Sequence, residues 1–177
     1  MGCYIVCFRI RKRKIRPKRT GLEGGVCFDA PAMETVHLIV GVGVLITNLA
    51  AGVVGAIAWL RRAPSVAFWY LLRVAQVAVV LQVLLGTILL LIGHEAADKL
   101  HYVYGVLPLL VTLLAEAARV GAAERELEGV DFDSLPKDRQ HRFALAIVRR
   151  ETGIMAVSAL VVFGLAMRAA GTSGHLF

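Results

Sequence analysis

The chain has 177 residues, of which 58% are hydrophobic, and a mean hydropathy of +0.69. That composition excludes an ordinary soluble domain of this size and makes the bilayer the expected solvent. The formal net charge is +7, with six of those charges in residues 1–32, so the remainder is nearly neutral and no nucleic-acid partner is expected for it.

The first 32 residues contain "RIRKRKIRPKR", with eight Lys or Arg against Glu23 and Asp29. They also hold every cysteine of the chain, Cys3, Cys7 and Cys27. "CYIVCF" is too short for the apolar region of a signal peptide and precedes the basic run instead of following it. Val6 breaks a myristoylation motif.

Four segments then follow that are long and apolar enough to cross a hydrocarbon core of about 30 Å, which needs roughly 20 helical residues. The first runs over residues 36–60 and the second over about 67–92. The third, about 101–118, is shorter and carries Pro108, and the fourth covers about 152–170. Ser134 is the expected helix cap ahead of "LPKDRQHR", so the fourth helix should project from the membrane and place Arg139, Arg142, Arg149 and Arg150 among anionic headgroups. Gly41, Gly52, Gly55, Gly86, Gly105, Gly153 and Gly164 supply the small surfaces by which membrane helices approach closely. The expected fold is all-α: an up-down four-helix transmembrane bundle, residues 33–177, with no internal repeat and no extramembrane domain.

Arg61 and Arg62 follow the first span, while Arg119, Arg125, Lys137, Arg139, Arg142, Arg149 and Arg150 flank the third connection. The opposite side offers Lys99 and Arg168. The positive-inside rule therefore puts the first and third connections in the cytoplasm and "HEAADKLH" outside, which sends both ends of the bundle outside an inner membrane. The basic tail conflicts with that placement. The conflict is removed if the natural chain starts at Met33, leaving residues 1–32 as a disordered segment or a start-site artefact. The alternative is a cytoplasmic arm that binds headgroups or nucleic acid, with the topology inverted.

His37 lies at the start of span one, His94 at the end of span two and His101 at the start of span three, all near one membrane face. His37 and His101 are each followed four residues later by a glycine, Gly41 and Gly105, on the same helix face. A planar macrocycle held edge-on between helices needs an imidazole from each side and a neighbouring surface free of side chains. Two matched His-x-x-x-Gly units meet that need, so a bis-histidine b-type haem is one expectation, with Arg168 as a partner for a propionate. The other is that these are ordinary interfacial histidines.

"LQVLLG" followed, after a short polar loop, by "LH" resembles the haem A synthase family, in which an LQ-x-x-LG helix leads to a helix bearing a haem-ligating histidine. The preceding helix of that family bears the partner histidine, often within E-x-x-H-R, and here Glu34 to His37 give E-x-x-H with Leu38 in place of the arginine. The resemblance covers roughly residues 34–105 and implies His37 and His101 as the axial pair. The family has two four-helix halves where this chain has one. A stand-alone haem-binding half, pairing with a second copy, is therefore the better inference than haem A synthesis.

The remaining polar residues within the spans read as structural. Arg73 should snorkel to the interface, Asn48, Gln82 and Thr87 should bond between helices, and Glu116 and Glu151 have arginines nearby. The set His94, Glu95, Asp98 and His101 has metal-ligand chemistry but lies in an exposed hairpin without a second shell. No hydrolase, metalloprotease or phosphate-loop motif occurs. Two function classes remain: an electron carrier with one haem that exchanges with a quinone or a redox membrane subunit, and a cofactor-free four-span subunit of a larger membrane complex.

Overall fold

The computed structural model describes residues 5–6, 28–96, 98–129 and 131–173. After a two-residue antiparallel ladder, β1 (Ile5–Val6) against β2 (Phe28–Asp29), come four long helices: α1 (Ala30–Arg61), α2 (Val66–Leu91), α3 (Leu100–Leu127) and α4 (Lys137–Thr172). All four are long and apolar enough to cross a membrane, and the chain is an all-α, multi-pass membrane protein. The expectations for residues 1–32 fall largely outside the described residues.

The ends of the helices follow from local chemistry. α1 starts at Ala30, ahead of Met33, and closes in a Schellman motif in which Arg62 N–H donates to Trp59 O and Ala63 N–H to Ala58 O. Ser65 then caps α2, accepting from Phe68 N–H at 3.3 Å. α2 closes in the same way as α1, with Gly93 N–H on Leu90 O and His94 N–H on Leu89 O.

The third connection is far shorter than its polarity suggests. α3 runs on to Leu127, held by Arg125 donating to Gly121 O and by Glu126 pairing with Arg150 of α4 at 2.5 Å. Charged residues end an apolar span without ending its helix, because Glu and Arg are good helix formers in water. Ser134 does not cap α4. It sits in a 3-10 turn (Phe132–Ser134) and donates its hydroxyl to Asp131 O, and α4 begins at Lys137 behind Pro136. With 36 residues α4 is about 54 Å long, so its N-terminal turns extend beyond a 30 Å core.

The bundle is centred on α1 and α4. α1 packs along α2 and α4, and α3 along α4, whereas α2 and α3 meet over little of their length. Gly52, Gly55 and Gly153 set that arrangement. A methyl at Gly55 would fall 2.5 Å from Phe68 Cε2, one at Gly52 2.5 Å from Leu160 Cδ2, and one at Gly153 2.9 Å from Trp59 Nε1. The main core, Ala51, Phe68, Leu72, Ala115, Met155, Ala156 and Ala159, lies at this level, with Val44, Val79 and Val162 forming a second cluster toward the other end. Gly105 and Gly164 face open space, so these two glycines contribute nothing to close packing among the described residues. Leu, Val and Ile side chains cover the outer surface, and only 11% of the most apolar stretch of α2 is buried in the bundle. Such a surface needs lipid around it.

Candidate functional site

His37 enters from α1 and His101 from α3, two helices that hardly touch elsewhere. Their rings approach edge to face inside one end of the bundle, with centroids 6.3 Å apart and planes at 65°. His101 Nδ1 lies 3.0 Å from the carbonyl of Ala169 on α4. A carbonyl only accepts, so Nδ1 is the donor here, and in the neutral ring Nε2 is the nitrogen with the lone pair.

On the other side, Gln82 of α2 places its amide nitrogen 3.2 Å from His37 Nε2. The amide donates, which leaves His37 Nε2 as the acceptor and puts its proton on Nδ1. His37 Nδ1 and Gln82 Oε1 are both buried and have no hydrogen-bond partner in the protein. Reversing the amide leaves Gln82 Nε2 and His37 Nδ1 unmatched instead. Native interiors rarely tolerate two such atoms side by side, each costing about 1–3 kcal/mol, so the cluster has hydrogen-bonding capacity to spare.

The two His-x-x-x-Gly units have different surroundings. The bare face at Gly105 is open, with nothing within 4 Å of the position a methyl would take. At Gly41 the corresponding position is 3.0 Å from Gln82 Nε2, so the Gln82 side chain covers that glycine. Gly86, one helical turn after Gln82, lets the His37 ring lie against α2, its Cε1 3.2 Å from where a methyl would be. Gln82 and Gly86 are the polar and the small residue of "LQVLLG", and both meet His37. Sequence reasoning named both without connecting them to His37; the i, i+4 spacing that puts them on one face was the available signal.

Arg168 lies at the same end, with its guanidinium carbon 5.9 Å from the centre of the Tyr104 ring, beside Gly105. His94 turns away from the pair and places Nδ1 2.6 Å from Glu34 Oε1, joining the start of α1 to the α2–α3 loop. His141 is exposed on α4. His175 lies outside the described residues.

The far end carries a second polar cluster. Arg73 does not simply snorkel: its Nη1 donates to Glu116 Oε1 at 2.8 Å and to Gln76 Oε1 at 2.7 Å, and Gln76 Nε2 donates to Glu116 Oε1. Arg119 binds the other oxygen of Glu116, lies within 3.8 Å of Glu151 and covers the Trp69 ring. These contacts bridge α2, α3 and α4 across the loosest seam of the bundle. Asn48 and Thr87 bond within their own helices, to Val44 O and Val83 O, so of the three expected interhelical side chains only Gln82 reaches across.

Searches of protein-family models, curated proteins and solved structures find no match to this chain. The geometry of the His37–His101 cluster therefore bears the functional argument alone.

Proposed function

We propose that this four-span membrane protein holds one b-type haem between His37 and His101 and uses it to carry single electrons at one face of the bilayer. The observation that carries this reading is the ring-to-ring approach of two histidines from helices that otherwise stay apart. Three features support the fit. The donor set is two imidazoles, a common axial pair for haem. Gly105 leaves the neighbouring surface bare. The cluster has two buried polar atoms without partners.

Bis-imidazole ligation supplies a one-electron redox centre, and the chain's own residues prepare it. Ala169 O fixes the orientation of His101 through Nδ1, so that Nε2 would be the ligand atom, and a hydrogen bond of this kind raises the basicity of the imidazole. Gln82 engages His37 Nε2 and covers Gly41, so binding requires its side chain to swing aside. Arg168, held on Tyr104 at the same end, is a cation for a propionate. A quinone or a redox membrane subunit is the exchange partner of this reading, and a second copy of the chain would replace the missing half of the resembled family.

The reduced-minus-oxidised absorbance spectrum of purified protein is the test. Wild type should give a b-type difference spectrum, His37→Ala and His101→Ala should each abolish it with membrane insertion intact, and His94→Ala should keep it. A colourless wild type would reject the proposal.

A second reading is favoured by one specific feature: the bonds Gln82–His37 and His101–Ala169 tie α1 to α2 and α3 to α4. On it, the histidines are interhelical ties in a cofactor-free subunit of a larger membrane complex. Loss of either tie would then lower stability in a protein that is colourless from the start.

A further inference from the structure

A shallow crevice of about 10 Å³, room for roughly one water, lies on the surface at the end of the bundle opposite the histidines, between the α1–α2 turn and α4. Trp59, Leu145 and Val148 form its apolar floor, and Arg62 and Arg149 stand at its rim. Neighbouring Arg150 is neutralised by Glu126, but Arg62 and Arg149 join no ion pair among the described residues.

The backbone at Arg62 gives an independent observation. Its φ is +55°, and it is the only non-glycine residue with a positive φ among the described residues. The same position of the same capping motif at the end of α2 is Gly93, with φ +90°. Glycine takes this left-handed conformation without the steric strain a β-carbon brings. The fold thus carries an arginine where a glycine would make the turn more easily, which points to a use for the cation itself.

We propose that the surface over this crevice is a binding site for an anionic phospholipid, with Arg62 and Arg149 on the headgroup phosphate and the first acyl segment over Trp59, which lies deeper on α1 than Arg62. Two unpaired guanidiniums from different elements match a phosphodiester in charge and hydrogen-bond geometry. A tryptophan at the end of a membrane span marks the depth at which headgroups lie. The apolar floor distinguishes a lipid from a free anion, which would gain nothing from it.

The test uses the full chain, with Arg62→Gly, Arg149→Gln and Arg139→Gln variants, in detergent micelles doped with phosphatidylglycerol or phosphatidylcholine. Bound lipid is counted by native mass spectrometry, and thermal unfolding is followed in parallel. Wild type should retain phosphatidylglycerol over phosphatidylcholine. Arg62→Gly and Arg149→Gln should each weaken that retention about fivefold, the effect of one cation at a membrane surface. Arg62→Gly should unfold no earlier than wild type without lipid, so that its loss of binding cannot be ascribed to damage. Arg139→Gln, which removes the same charge farther out on α4, should retain the lipid. Equal retention of both lipids, full retention by Arg149→Gln, an equal loss in Arg139→Gln, or equal protection by inorganic phosphate would each overturn the proposal. If Arg62→Gly does not fold, Arg149→Gln decides it.

Discussion

Gln82 is the side chain on which the two functional readings part. It donates to His37 Nε2, covers Gly41 and leaves its own Oε1 unpaired, so it both steadies His37 and occupies the atom a metal would need. Replacing it with alanine should cost the unliganded protein about 1 kcal/mol of stability, the net worth of one hydrogen bond, seen as a lower unfolding midpoint. On the haem reading, Gln82→Ala also exposes Nε2 and uncovers Gly41, so haem content per protein should equal or exceed that of wild type. A variant with reduced haem would show that Gln82 helps to hold the group, contrary to this account. The His37–His101 pairing was legible in the sequence because equal depth follows from span boundaries alone. The role of Gln82 was not, since a hydropathy pattern fixes how deep a residue lies and says little about which way its helix is turned. Likewise Asn48 and Thr87 bond to carbonyls one turn earlier in their own helices, an option open to any short polar side chain in a helix, and only the rotamer decides it.

Among the helices, the contacts that α1 makes with α2 and α4 have no slack. A methyl added at Gly55 would meet both Phe68 and Ala156, at 2.5 and 2.8 Å, in the middle of the main core. Gly55→Ala should therefore destabilise the bundle by about 1–3 kcal/mol, the usual cost of overpacking, measured by thermal unfolding in detergent. Gly164→Ala, on the same bundle but facing open space, should be neutral or slightly stabilising, because alanine is the better helix former. Similar losses in both would mean that the cost is one of helix flexibility, not contact. The four spans were readable from apolar run lengths, but the glycines that pack could not be told from those that do not, because both kinds sit in the same Gly- and Ala-rich composition. The ends were harder still. The polar stretch before Gly129 reads as a connection, yet α3 extends through it to Leu127, since a helix leaving the membrane continues wherever its charges find water or each other, as Glu126 and Arg150 do; the projecting α4, expected from Ser134, begins at Lys137.

The two ends of the molecule differ in charge and in chemistry, which makes its orientation a functional question. Arg61, Arg62, Arg125, Arg149 and Arg150 gather at the end with the arginine-rimmed crevice, while Lys99 and Arg168 are the Lys and Arg residues described near the histidines. Ion pairing does not erase this asymmetry, because insertion responds to the count of Lys and Arg and acidic residues contribute little. The crevice end should therefore face the cytoplasm, where the anionic leaflet lies, and His37 and His101 should sit near the opposite surface. A reporter that works only outside the cytoplasm should be active when inserted at Glu95 and silent at Gly129, with the reverse pattern for a cytoplasmic reporter. The basic segment within residues 1–32 pulls the other way, since it would hold the start of α1 inside. If Glu95 reads inside and Gly129 outside, that segment governs insertion and the redox face proposed here is cytoplasmic. If the pattern is the expected one and survives in a chain begun at Met33, the arginines of the connections alone set the topology, and the site proposed for haem lies at the outer surface.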